Sequence, residues 1–152
     1  MLNCRFRLNN RPLSNLTVDD LGHFPAYSGL GAFKNKLSAH CLEGHGPIPL
    51  GRYYIFDRES GGRLGWLYKL LRGDWFALYA IDNRIDDAVW CEKVERGAFR
   101  LHPEGWLGIS EGCLVVKNSA QYQTLYHHIK GHGARSVSGT DLKAYGVIEV
   151  TA

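Results

Sequence analysis

Gly97-Ala98-Phe99-Arg100-Leu101-His102-Pro103-Glu104-Gly105-Trp106-Leu107-Gly108-Ile109-Ser110-Glu111-Gly112-Cys113-Leu114-Val115-Val116-Lys117 is the stretch on which the fold turns. Its ends, 97–102 and 113–117, are apolar runs flanked by glycine, which predicts two strands. The glycine-rich middle predicts the loop between them, and the simplest joining is an antiparallel pair. Working outward, Arg5 to Leu8 alternates like a first strand, and Ser14 to Lys36, with Gly22, Pro25, Gly29 and Gly31, reads as a long irregular loop. Gly46-Pro47-Ile48-Pro49-Leu50-Gly51 is a turn that feeds an aromatic, β-branched strand at Arg52 to Phe56. Trp66 to Leu71 and Trp75 to Ala80, separated by Arg72-Gly73-Asp74, predict a hairpin, and Gly146 to Thr151 a last strand. The one helix signal is Tyr122, Leu125, Tyr126 and Ile129 at i, i+3, i+4 and i+7, with Ser119 as its cap and Gly131 just past its end. The expected class is mainly β with one helix, a β-rich α+β fold.

The composition agrees. Eighteen glycines with eight Tyr, six Phe and four Trp in 152 residues favour short strands and tight turns over a helical bundle. The chain shows no internal repeat and no biased linker, so residues 1–152 read as a single domain able to bury its own core. A net charge of +3 is too small to demand nucleic acid, and Arg58, Arg63, Lys69 and Arg72 read as a solvated face. No apolar run is long enough to span a membrane, and no apolar stretch after Arg5 and Arg7 makes the start a signal peptide. The expectation is a chain made in the cytoplasm and exported, if at all, by another route.

Cys4, Cys41, Cys91 and Cys113 form no CxxC pair and no regular framework. His40, Cys41 and His45, or His127, His128 and His132, lack a second ligand pair at recognised zinc spacing, so no metal is expected. Gly44-His45-Gly46 and Gly131-His132-Gly133 read as loops. Cys4, Cys41 and Cys91 read as buried thiols or, in an oxidising compartment, as partly disulfide-bonded. Cys113 differs, because His102 precedes the glycine-rich loop that ends at it. An imidazolium beside a thiol raises the thiolate fraction and makes a nucleophile. Gly112, without a Cβ, lets the backbone aim N–H groups at an oxyanion, and Ser110 is placed to brace the loop. Spacing alone favours the plainer reading, a strand-end histidine and a small buried thiol.

What tips the balance is a resemblance. His102, Ser110, Gly112 and Cys113, as His-x7-Ser-x-Gly-Cys, resemble the active-site motif of L,D-transpeptidases. The match is to the compact branch of type VI secretion effectors with L,D-transpeptidase and carboxypeptidase activity. Phe24-Pro25-Ala26-Tyr27-Ser28-Gly29, Gly46-Pro47-Ile48-Pro49, Tyr53-Tyr54-Ile55, Asp57-Arg58 with Ser60-Gly61-Gly62, Asp74 to Tyr79 and Arg96 to Pro103 are similar to that branch, in order, over about 24–118. Glu111 departs from the commoner Ser/Thr-His-Gly-Cys loop, and no role passes to it. Residues before 20 and after 130 match little.

The resemblance implies an L,D-transpeptidase-like β-sandwich acting on the tetrapeptide stem of peptidoglycan. Cys113 would attack the carbonyl between the third residue and the terminal D-alanine, with His102 as its base, giving a thioester and then hydrolysis or D-amino-acid exchange. No cofactor is implied. It also implies an antibacterial effector acting in the periplasm of a target bacterium, with an immunity protein and a secretion-machinery component as partners. Arg100, two residues before His102, is a candidate for a stem carboxylate. Tyr27, Ser28 and Trp75 are candidates to line the groove. Two other functions compete: a catalytically silent wall-binding or toxin-accessory module, and a papain-like peptidase. In the latter the cysteine usually precedes its histidine, the reverse of the order here.

Overall fold

A computed structural model describes residues 1–58, 74–105 and 112–152. The predicted strand at Trp66 to Leu71, the turn at 72–73 and Ser110 lie outside the described residues. The described strands are β1 (Leu2–Arg7), β2 (Ser14–Val18), β3 (Gly22–Ser28), β4 (Gly51–Asp57), β5 (Phe76–Ala80) and β6 (Ala88–Cys91). They continue with β7 (Val94–Gly97), β8 (Arg100–Pro103), β9 (Leu114–Val116), β10 (Arg135–Ser136), β11 (Lys143–Ala144) and β12 (Gly146–Thr151). One helix, α1 (Ser119–His132), lies between β9 and β10.

Among the described residues the fold is mainly β with one α-helix. Eight strands hydrogen-bond in the order β1-β12-β4-β5-β8-β9-β3-β2, and β1 also pairs with β2, so the sheet closes into a barrel. This differs from the expected sandwich: β1 has a hydrogen-bonded neighbour on both sides, and full closure leaves no edge strand. The expected irregular loop at 14–36 is also corrected. Ser14-Asn15-Leu16-Thr17-Val18 alternates with period two and pairs antiparallel with β3, while 3-10 turns follow at Gly31–Phe33 and Leu37–Ala39. β6 and β7 form a separate antiparallel ribbon, as do β10 and β11.

Alternation fills the core. In β1, Leu2, Cys4 and Phe6 are buried while Asn3, Arg5 and Arg7 are exposed. These residues join Leu16, Ile55, Phe76, Leu78, Leu101, Leu114 and Ile148 in one cluster, to which α1 adds Tyr122, Leu125 and Ile129. The helix is capped by Asn118, whose side chain accepts from the Gln121 N–H, rather than by Ser119. It runs through Gly131 and ends at Gly133, where φ is 84°. α1 lies against β8 and β9, and the Tyr122 hydroxyl donates to the carbonyls of Leu101 and Asp74. The helix therefore braces, from the core side, the two strands whose other face carries His102.

Candidate active site

His102 and Cys113 come together, but not as an antiparallel pair. β8 and β9 are neighbours and run parallel, with Leu101 opposite Leu114, His102 opposite Val115 and Pro103 opposite Val116. β9 lies between β8 and β3 and pairs antiparallel with the latter. Parallel neighbours are not joined by a hairpin turn. Extending the register by one residue sets Cys113 beside Arg100, so the thiol lies diagonally from His102 on the same face. Diagonal positions across a strand pair stand about 7–8 Å apart, within reach of a side chain as long as histidine.

The register draws two rows across this face. Tyr27, Val115, His102 and Trp75 make one, and Cys113, Arg100 and Ala77 the next. Leu101 and Leu114 alternate to the other face and are fully buried in the core. The site thus sits on the outside of the barrel, on strands anchored from within.

Among the described residues, two contacts hold His102. Its Nδ1 lies 2.7 Å from the Pro103 carbonyl oxygen. A carbonyl only accepts, so Nδ1 carries the hydrogen, and in the neutral ring Nε2 is then the atom able to take a proton. The ring also stacks on Trp75, with centroids 4.0 Å apart and planes inclined by 16°. The group that orients His102 is thus a backbone carbonyl, which no side-chain pattern announces.

Cys113 is half-buried and in no disulfide, its Sγ 3.9 Å from the Ala98 carbonyl. Ala98 has a φ of 59°, in the left-handed region that alanine rarely adopts, and makes the break between β7 and β8. Gly112 has a φ of 114°, and a Cβ there would lie 2.7 Å from the Phe99 ring and 2.8 Å from Arg96 Nη2. Only glycine fits that turn.

The remaining candidates are placed differently. Ser28 is fully buried; its hydroxyl donates to the Gly112 carbonyl at 3.2 Å and accepts from the Ile48 N–H at 2.8 Å. It supports the turn at Gly112, which corrects its expected place in the groove. Tyr27 is also buried, with its hydroxyl by Glu104; burial pushes its phenol up to about 12, and the Lys34 ammonium sits 4.4 Å from its ring centroid. It shapes the site from within rather than lining an open groove. Arg100 forms a two-pronged ion pair with Asp87, at 2.9 and 2.7 Å, and donates to the Phe99 carbonyl. Its fork is already filled by a carboxylate, so the expected pairing with a stem carboxylate is not what the structure holds. The Asp87 hydrogen bond holds its guanidinium pKa above the usual value, and Cys113 is close enough to add to that.

Arg96 was missed as a functional support. Its guanidinium is buried and donates to the carbonyls of His40, Pro47 and Gly46, with its centre 5.3 Å from the Phe99 ring centroid. It binds the 40–47 segment to the platform under Gly112. That segment is closed by a disulfide between Cys41 and Cys91. The His40 Nδ1 and both sulfurs lie within 4.8 Å of one another, but the bond occupies the sulfurs. The sequence signal for Arg96 is its place at the head of the family-like segment Arg96 to Pro103, which gives it no role by itself. Cys4 is buried in the core, and desolvation pushes its thiol up to about 12.

The closed barrel thus carries His102 on β8 and Cys113 at the entry to its parallel neighbour β9, the two residues that bound the motif. The match is borne out: the family model described as the Tlde1 domain covers residues 22–140, and the chain belongs to this family of type VI secretion L,D-transpeptidase effectors. No curated protein matches the chain.

Proposed function

We propose that the protein is a cysteine-dependent L,D-carboxypeptidase and D-amino-acid exchange enzyme acting on peptidoglycan tetrapeptide stems. The observation that carries this reading is the register that sets Cys113 diagonal to His102 on one face, with Nδ1 of the imidazole tied to the Pro103 carbonyl. Cys113 gives its proton to His102 Nε2 and attacks the carbonyl of the third stem residue. His102 returns the proton to the departing amine, D-alanine leaves, and a thioester remains on Sγ. Water then yields the shortened stem, and a free D-amino acid yields the exchanged one. The N–H groups of Gly112 and Cys113 are assigned to the oxyanion.

The site of action is the periplasm of a target bacterium. The Cys41–Cys91 disulfide supports this, since such bonds persist in oxidising compartments. Among the described residues no helix is long and apolar enough to cross a membrane. The partners are the wall stem, a cognate immunity protein and a component of the secretion machine. The test is directed expression: periplasmic wild-type protein lyses or arrests the cell and depletes tetrapeptide stems, and Cys113→Ala does neither. Equal toxicity of the two forms sinks the reading.

A further inference from the structure

The Trp75 indole is the feature of the site that the reaction scheme leaves without a task. It stacks on His102 at 4.0 Å, and the guanidinium carbon of Arg58 lies 5.0 Å from its ring centroid. An aromatic face carries the negative end of the ring quadrupole and attracts cations more than neutral groups. His102 is 5% exposed, and burial by itself disfavours the imidazolium. A chain that needs a thiolate–imidazolium pair must therefore supply a counterweight to desolvation. The indole face is one, and the Arg58 contact marks it as a face that takes cations.

We propose that Trp75 is a positioning residue that fixes the plane of His102 and favours its imidazolium, so that Cys113 is held as thiolate at neutral pH. The inference rests on the reading of Cys113 and His102 as nucleophile and base. Among the described residues, the other charged or titratable groups around His102 are few. Arg100 shares its face but is matched by Asp87 at 2.7 Å. Arg58, 5.0 Å from the indole centroid, opposes a second cation on the same ring system. On the β3 and β9 side are Tyr27 and Glu104, and Glu104 is matched by Lys117 at 3.0 Å. Cys113 completes the set, and its thiolate is the charge that the imidazolium answers.

The test is the pH profile of alkylation at Cys113 by iodoacetamide, read on the Cys113 peptide by mass spectrometry. Buried Cys4 and the disulfide-bonded pair stay silent. Trp75→Met moves the midpoint upward by about one pH unit, roughly a tenfold loss of thiolate at neutral pH. Trp75→Phe, which keeps an aromatic face, stays close to wild type. A midpoint unmoved in Trp75→Met, or moved as far in Trp75→Phe, overturns the proposal. A second measurement leaves Trp75 intact: the His102 titration followed by NMR in Cys113→Ala. A midpoint at or above the ordinary value of about 6.5 supports the proposal, and one near 5 overturns it. Neither readout needs peptidoglycan. A wild type that shows the predicted profile yet releases no D-alanine refutes the proposed reaction and leaves this inference standing.

Discussion

The Ser28 hydroxyl joins two loops by donating to the Gly112 carbonyl at 3.2 Å while accepting from the Ile48 N–H at 2.8 Å. Ser28 is the last residue of β3, and its own N–H is taken by the Asn35 side chain at 3.0 Å. One buried oxygen thus connects the turn before Cys113 to the end of the segment that Arg96 holds. Ser28→Ala leaves the Ile48 N–H buried without its acceptor, a cost of about 1–3 kcal/mol. The expected outcome is a lower Tm with a fall in kcat that exceeds any rise in KM. Steady-state kinetics beside thermal unfolding check it.

Gly112 admits no side chain. Its φ of 114° is strained for alanine, and a Cβ meets the Phe99 ring and Arg96 at under 3 Å. Gly112→Ala shifts the turn that carries Cys113 and adds overpacking of about 1–3 kcal/mol. Activity falls at least tenfold while the protein stays folded, as circular dichroism with a D-alanine release assay will report.

The Cys41–Cys91 bond closes a loop of 50 residues' separation between the 40–47 segment and β6. Chain-entropy reasoning assigns such a closure about 4 kcal/mol. Cys41→Ser paired with Cys91→Ser, or a reductant, lowers Tm accordingly. Because Arg96 donates to His40, Gly46 and Pro47 in that segment, activity at temperatures below unfolding also declines. An unchanged Tm in reductant contradicts this account of the bond.

Alkaline pH probes the core. Burial pushes the Cys4 thiol and the Tyr27 phenol each up to about 12, and pushes Tyr53 and Tyr122 higher still. All four hold their protons longer in the folded state than in the unfolded one. Stability is therefore full below the ordinary thiol value of 9.0 and falls as pH rises above it, first through Cys4. Each ionising group contributes a slope of up to about 1.4 kcal/mol per pH unit. Cys4→Ala removes the earliest part of that decline, which urea unfolding between pH 8 and 11 measures.

Much of this was legible in the sequence, and particular residues show why the rest was not. β4, β5 and β12 follow from β-branched and aromatic runs bounded by glycine. β2 and β3 were hidden because Pro25 sits inside β3 and Gly22 at its start, so turn chemistry outweighed the alternation of Leu16 and Val18. Gly131 looked like a helix stop, but the helix runs on to Gly133, where the backbone turns left-handed. At the candidate site, the motif singles out His102 and Cys113 but not the parallel pairing of their strands: that direction is set by β3, far away in sequence. The same holds for Arg100, whose partner Asp87 lies on the approach to another ribbon, and for the Cys41–Cys91 pairing, which spacing left open.

The central claim is that Cys113 is the nucleophile that takes the stem as a thioester. Intact-protein mass spectrometry after acid quench of a reaction with disaccharide tetrapeptide tests it most directly. The account predicts an adduct equal to the substrate less D-alanine, located on the Cys113 peptide, sensitive to hydroxylamine and missing from Cys113→Ala. D-Alanine release by Cys113→Ala at the wild-type rate, or an adduct on any other residue, would contradict it.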